Sequence, residues 1–152
     1  MGSTDRPDLA AMLAPLTRTL IAMERPVLET YGLTMWAYSV LVALSRGPAR
    51  GQGVLAQEIG ADKTRIIAVL DDLQDRGLLH RSPDPADRRA RLLELTDEGH
   101  RIVAQAQAEI QSREEQLVLQ HLSPAERRVF LSALHTLADL PRSLDENDSA
   151  AD

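Results

Sequence analysis

The sequence contains no cysteine, which excludes disulfides and thiolate metal sites. Aromatic side chains make up only 3% of its 152 residues, so any core must be built from Leu, Ile, Val and Ala, the mix of a helical protein. No apolar run approaches the roughly 20 residues needed to cross a bilayer, and no signal-peptide pattern is present. A Gly-rich phosphate loop, an H-E-x-x-H pair and a G-x-S-x-G elbow are all missing. The carboxylates, though numerous, fall on apparent helix surfaces, which argues against an enzyme. There is no excess of positive charge either, since the formal net charge is −6. These absences leave a mainly α, cytoplasmic protein as the expectation. Its 43% hydrophobic content suffices for a core, and its length suits one compact domain or one domain with extensions.

The acidity is uneven. Residues 62–91 carry seven Lys or Arg against six Asp, whereas the remainder carries ten against seventeen. That less acidic stretch lies within Val54–Leu95, around which the chain is organised. Val54–Ile59 has the pattern of a short helix stopped by Gly60. Asp62 is placed to cap a second helix with Ile66, Leu70 and Leu73 on one face and Gly77 at its end. Leu78–Ser82 and Arg91–Leu95 read as strands joined by the turn-forming P-D-P-A-D-R-R. Two short helices across a tight turn, followed by a hairpin with a basic tip, describe a winged helix-turn-helix whose second helix fits a DNA major groove.

At ~100° per residue, Thr64, Ile67, Ala68 and Asp71 then point away from the core. Lys63 and Arg65 flank the first turn, at the positive end of the helix dipole, where phosphates and base edges approach. Asp71, Asp72 and Asp75 speak for a merely solvated helix, but they lie toward its other end. On the hairpin, Arg88, Arg89 and Arg91 suit a narrow minor groove, which concentrates negative potential. The plainer alternative is an ordinary charged hairpin, with Asp84 and Asp87 offsetting the arginines.

The flanks are helical. Asp8 caps a first helix to about Tyr31, with a broken stripe of Leu13, Leu16, Leu20, Met23 and Leu28. Pro15 and Pro26 inside it predict a kink or an interruption. Thr34 caps a second helix that is apolar nearly all round, ended by Gly47-Pro48, and Ala49–Gly53 is a loop or short strand. Thr96 caps a helix running to about His121, roughly 38 Å at ~1.5 Å per residue and longer than its own core needs. Ser123-Pro124-Ala125-Glu126 is a capping box, opening a last helix with Val129, Phe130, Leu134, Leu137 and Leu140, stopped by Pro141.

Several segments share a further pattern. They are Leu33-Thr34 with Val40, Leu41 and Leu44; Leu70, Leu73, Gly77, Leu78 and Arg81; and Leu122-Ser123-Pro124-Ala125-Glu126. The most specific is Asp84-Pro85-Ala86-Asp87-Arg88-Arg89 followed by Leu93, Leu95-Thr96 and Gly99, a D-x-R then L-T-x-x-G signature. Over about residues 10–140 the chain resembles the MarR family of bacterial transcription regulators. The resemblance implies a homodimer on a pseudo-palindromic operator, with first and last helices that interdigitate with the partner's. It also implies a small-ligand site between dimerisation and DNA-binding regions, with Arg89 in the minor groove and Asp87 orienting the wing through a salt bridge. The implied organisation is a dimerisation arm and helix at 1–32, a winged helix-turn-helix at 33–95, dimerisation helices at 96–140 and a disordered tail at 141–152. One departure is Ala68, where many relatives carry a basic residue, so that groove contact falls to Lys63, Thr64 and Arg65. The missing cysteine argues against the family's peroxide-sensing branch.

Met23, Tyr31, Met35, Trp36 and Tyr38 gather most of the large polarizable side chains near the first two helices. They could line a site for a phenolic or other aromatic ligand, or simply pack. His80, His100, His121 and His135 form no paired ligand spacing, so neither metal nor cofactor is expected. The expectation is a homodimeric, ligand-responsive repressor of double-stranded DNA. The alternative is a winged helix that binds protein and has no operator.

Overall fold

The computed structural model describes residues 6–140. In order, these form α1 (Leu9–Thr30), α2 (Met35–Ser45), β1 (Ala49–Arg50), α3 (Gln52–Ile59), α4 (Lys63–Asp75), β2 (Leu79–Pro83), β3 (Arg91–Leu95), α5 (Asp97–Leu117), a 3-10 turn (Leu119–His121) and α6 (Pro124–Ala138). The predicted stop at Pro141 and the disordered tail lie outside the described residues. The chain divides into two compact units, residues 1–111 and 112–152. No single helix among the described residues is long and apolar enough to cross a membrane.

The first unit holds the core. Leu28, Leu41, Leu55, Ile66, Leu70, Leu73, Leu79 and Leu93 are its largest wholly buried aliphatic side chains, joined by Val103, Ala106 and Ile110 of α5. Apart from α3, which starts after Gly51 with no side-chain cap, each α-helix start is set by a side-chain oxygen where the sequence placed it. Asp8 accepts from Ala11 N at 2.9 Å, Thr34 from Ala37 N at 3.1 Å and Thr96 from Gly99 N at 3.1 Å. Each bond satisfies one of the amides that a helix leaves without an internal partner.

Of the kink or interruption expected in α1, the interruption does not occur, for helix runs through both prolines. The carbonyls that Pro15 and Pro26 leave without an amide belong to Ala11 and Ala22, both exposed residues, so the lost bonds do not leave a buried acceptor unpaired.

The strands make one antiparallel sheet in the order β1-β3-β2, with Ala49 opposite Leu93 and Leu79 opposite Leu95. At its base the chain comes unusually close to itself. Thr96 Oγ1 donates to Gly77 O at 2.7 Å and Thr96 N to Leu78 O at 3.1 Å. A Cβ on Gly99 would lie 2.0 Å from Leu78 O, so only glycine lets α5 start there.

In the second unit, α5 ends four residues before the predicted His121. Val118 leaves helical geometry at φ −120°, ψ −62°, and Leu119 after it is buried. Ser123 and Glu126 then form the predicted capping box at the start of α6. No residue of α6 is buried, and Val129, Leu131, Leu134 and Leu137 stand exposed on it.

Candidate nucleic-acid interface

The tight turn ahead of α4 depends on Gly60, whose φ of 70° ends α3. Ala61 N then donates back to Ala56 O at 2.9 Å, a helix stop that a left-handed glycine permits. Two residues on, Asp62 Oδ1 accepts from Arg65 N at 2.8 Å and opens α4. Ile66, Leu70 and Leu73 are buried and fix the rotation of α4 about its axis. Thr64, Ile67, Ala68 and Asp71 therefore stand exposed on the opposite face, with Lys63 and Arg65 exposed at the first turn, as their spacing predicts. The acids that weakened a DNA reading are largely matched. Asp71 pairs with Arg81 of β2, and Asp72 lies 3.6 Å from Arg76.

The hairpin is held by its own aspartates. Asp84 is only 4% exposed and is the single buried charged residue among those described. Its Oδ1 accepts from Ala86 N at 2.9 Å, its N–H donates to Ala90 O at 3.1 Å, and its carbonyl accepts from Asp87 N at 3.3 Å. Asp87 Oδ1 in turn accepts from Arg89 N at 2.9 Å. Two successive side-chain-to-backbone turns thus shape the tip and leave Arg88, Arg89 and Arg91 exposed. The salt bridge expected of Asp87 is absent among the described residues. Its Oδ1 instead accepts from the Arg89 backbone N–H, two residues on. The ion pair that does tie the wing to α4 is Arg81 with Asp71. Sequence reasoning passed over Asp84 and Arg81 as anchors, although D-P-A-D carries the spacing of consecutive turns.

The aromatic and methionine cluster divides between two places. Tyr31, Met35 and Tyr38 pack against the core, and Met23 is half-buried on α1. Tyr31 Oη donates to Glu109 Oε2 of α5 at 3.2 Å. Burial, and after it this bond, push the Tyr31 phenol above its usual range, against the lowering effect of nearby Arg101. Trp36 instead lies beneath Arg65, whose guanidinium carbon is 5.1 Å from the ring centroid. His80 Nε2 lies 3.2 Å from Glu94 Oε2 on the sheet, and His100, His121 and His135 are exposed. No group of three or more His, Asp or Glu among the described residues is placed to hold a metal.

A profile of the MarR family matches residues 31–90, from the end of α1 through the wing tip. The transcriptional regulator HosA of Escherichia coli O111:H- is 32% identical over 109 residues, covering 72% of this chain and 80% of HosA. Among solved structures, the transcriptional repressor CouR bound to a 23-mer DNA duplex is 31% identical with a TM-score of 0.73, covering 86% of this chain and 92% of that one. CouR from Rhodococcus jostii RHA1 has also been solved bound to p-coumaroyl-CoA. The PcaV regulator of Streptomyces coelicolor, in complex with its natural ligand, is 33% identical with a TM-score of 0.62, covering 90% and 98%. With its exposed α4, its arginine-bearing wing and these relatives, the chain belongs to the MarR family of DNA-binding transcriptional regulators.

Proposed function

We propose that this chain is a ligand-responsive repressor that acts in the cytoplasm as a homodimer on a pseudo-palindromic operator. The observation that carries the reading is the outward face of α4, capped and free of core contacts, beside a wing whose turns present three arginines. Lys63, Thr64, Arg65, Ile67 and Ala68 enter the major groove, Ile67 and Ala68 offering apolar contact to thymine methyls. Arg88, Arg89 and Arg91 follow the phosphates into the adjacent minor groove, with Asp87 and Asp84 holding their turn.

Two copies join through the exposed apolar residues of α1 and of α6. Leu9, Met12 and Leu13 on one, and Val129, Leu134 and Leu137 on the other, are too many for isolated surface positions. The symmetric pair sets two copies of α4 about one DNA turn apart, ~34 Å. A phenolic or aromatic ligand near Met23, Tyr31, Met35 and Tyr38 lowers operator affinity by binding better to another separation. The ligand-bound states of CouR and PcaV support this part.

The test begins with recovery of bound sequences from genomic fragments. The recovered operator and a scrambled duplex are then compared at two salt concentrations. Phosphate neutralisation makes affinity fall with salt, and Arg89→Ala is expected to weaken binding and flatten the slope of log affinity against log salt by about one unit. Equal, salt-insensitive binding to both duplexes would instead favour a protein-binding winged helix.

A further inference from the structure

We infer that Trp36 is a positioning residue for operator reading, holding the Arg65 guanidinium flat so that its free edge meets a guanine in the major groove. The inference rests on α4 being the groove-entering helix.

Three contacts constrain Arg65. Its backbone amide is the one that caps α4 on Asp62, at 2.8 Å. Its Nε lies 3.8 Å from the second Asp62 carboxylate oxygen. Its guanidinium lies over the Trp36 indole at 5.1 Å. A ring beneath the guanidinium and a carboxylate near Nε restrict where the group can lie. They leave the two terminal nitrogens with no hydrogen bond among the described residues, and half of the side chain exposed to solvent.

A planar fork with both terminal nitrogens free is the donor arrangement that matches the O6 and N7 acceptors of guanine. A free arginine would have to freeze its rotamers on binding; one already held over a ring has less freedom to lose. The surrounding face of α4 contains Thr64, Ile67 and Ala68 and has no other guanidinium. Trp36 comes from the first turn of α2, so the reading group of one helix is set by a ring on another. A phosphate contact would not need this arrangement, since phosphate accepts from a guanidinium in many orientations.

The experiment is a double-mutant cycle on the recovered operator and a scrambled duplex, with Trp36→Leu, Arg65→Ala and the pair. Arg65→Ala is expected to lose about ten- to a hundredfold on the operator and much less on the scrambled duplex. Trp36→Leu is expected to lose about three- to fivefold on the operator alone, from the lost cation–π contact. In the Arg65→Ala background it should lose nothing further. Trp36→Phe, which keeps an aromatic face, should retain most of the operator preference. Trp36 is the only tryptophan, so its emission reports the pair directly even if Trp36→Leu folds poorly. Operator should shift that emission in the parent protein and not in Arg65→Ala.

An equal loss from Trp36→Leu in both backgrounds, or on both duplexes, would overturn the inference while leaving α4 as the reading helix. An emission shift that persists in Arg65→Ala would also overturn it. If Arg65→Ala and Lys63→Ala are both silent on the operator, the assignment of α4 fails and the inference falls with it.

Discussion

The guanidinium of Arg76 donates to the main-chain carbonyl of Gly32 at 2.9 Å, across 44 residues of sequence. A second nitrogen of the same group donates to Tyr31 O at 3.0 Å, while Asp72 lies 3.6 Å away. The last turn of α4 is thereby fastened to the turn between α1 and α2. Tyr31 in turn reaches α5 through Glu109, so the α1–α2 turn links α4 to α5. Arg76→Ala should destabilise the chain by about 1–2 kcal/mol, the scale of partly exposed charge-assisted bonds. Arg76→Lys should recover little, because an ammonium does not reproduce the two-pronged donor. Urea unfolding of the three proteins measures both effects.

Asp84 predicts a different pattern. Its carboxylate is buried and serves a backbone amide of the wing tip. Asp84→Ala should leave the helices folded and lower overall stability by about 1–2 kcal/mol, but disorder the presentation of Arg88 and Arg89. Operator affinity should fall nearly as far as in the Arg88→Ala/Arg89→Ala double variant. Limited proteolysis should cleave the hairpin faster in this variant than in the parent.

The capping box gives a prediction about pH. The Ser123 backbone N–H, with the Ser123 side chain contributing as well, holds the Glu126 carboxyl below its ordinary range. A carboxylate depressed on folding contributes stability that is complete above its unfolded pKa and is lost as pH falls through the folded one. The melting temperature of the parent should therefore exceed that of Glu126→Gln at neutral pH. The gap should close as the solution is acidified below the ordinary glutamate range. A gap that stays constant through that range would rule out the carboxylate as its source.

The exposed face of α6 predicts concentration dependence. Val129 is 70% exposed and Leu137 55%. If a second copy covers them, the melting temperature rises with protein concentration, because folding and association are then linked. Leu137→Glu should shift the protein to monomer in sedimentation and remove that dependence. Operator binding should drop with it, since half-sites are then bound singly.

Much of this was legible in the residues. The caps at Asp8, Thr34, Asp62, Thr96 and Ser123 could be placed because each is a short polar side chain just ahead of a periodic apolar run, and the first-turn amides require such a partner. The outward face of α4 followed from helix geometry once Ile66, Leu70 and Leu73 were assigned inward. What escaped depends on distance in sequence. Neither Arg65 over Trp36 nor Arg76 on Gly32 leaves a local pattern, because each joins elements that only the fold brings together. The continuity of α1 through two prolines was hidden for another reason. Composition does not say which carbonyls water can reach.

The contact at Gly99 has a mechanical consequence. With no room for a single extra carbon between α5 and Leu78 O, and with Thr96 bonded to both Gly77 and Leu78, the base of α5 and the base of the wing turn together. Close-packed interiors shift between discrete arrangements rather than deform smoothly. A small tilt of α5 at its base would therefore be delivered to the hairpin as a rotation, with displacement growing with distance from the pivot. The arginine tip, at the far end of that lever, would travel furthest while the packing at the fulcrum stayed nearly unchanged.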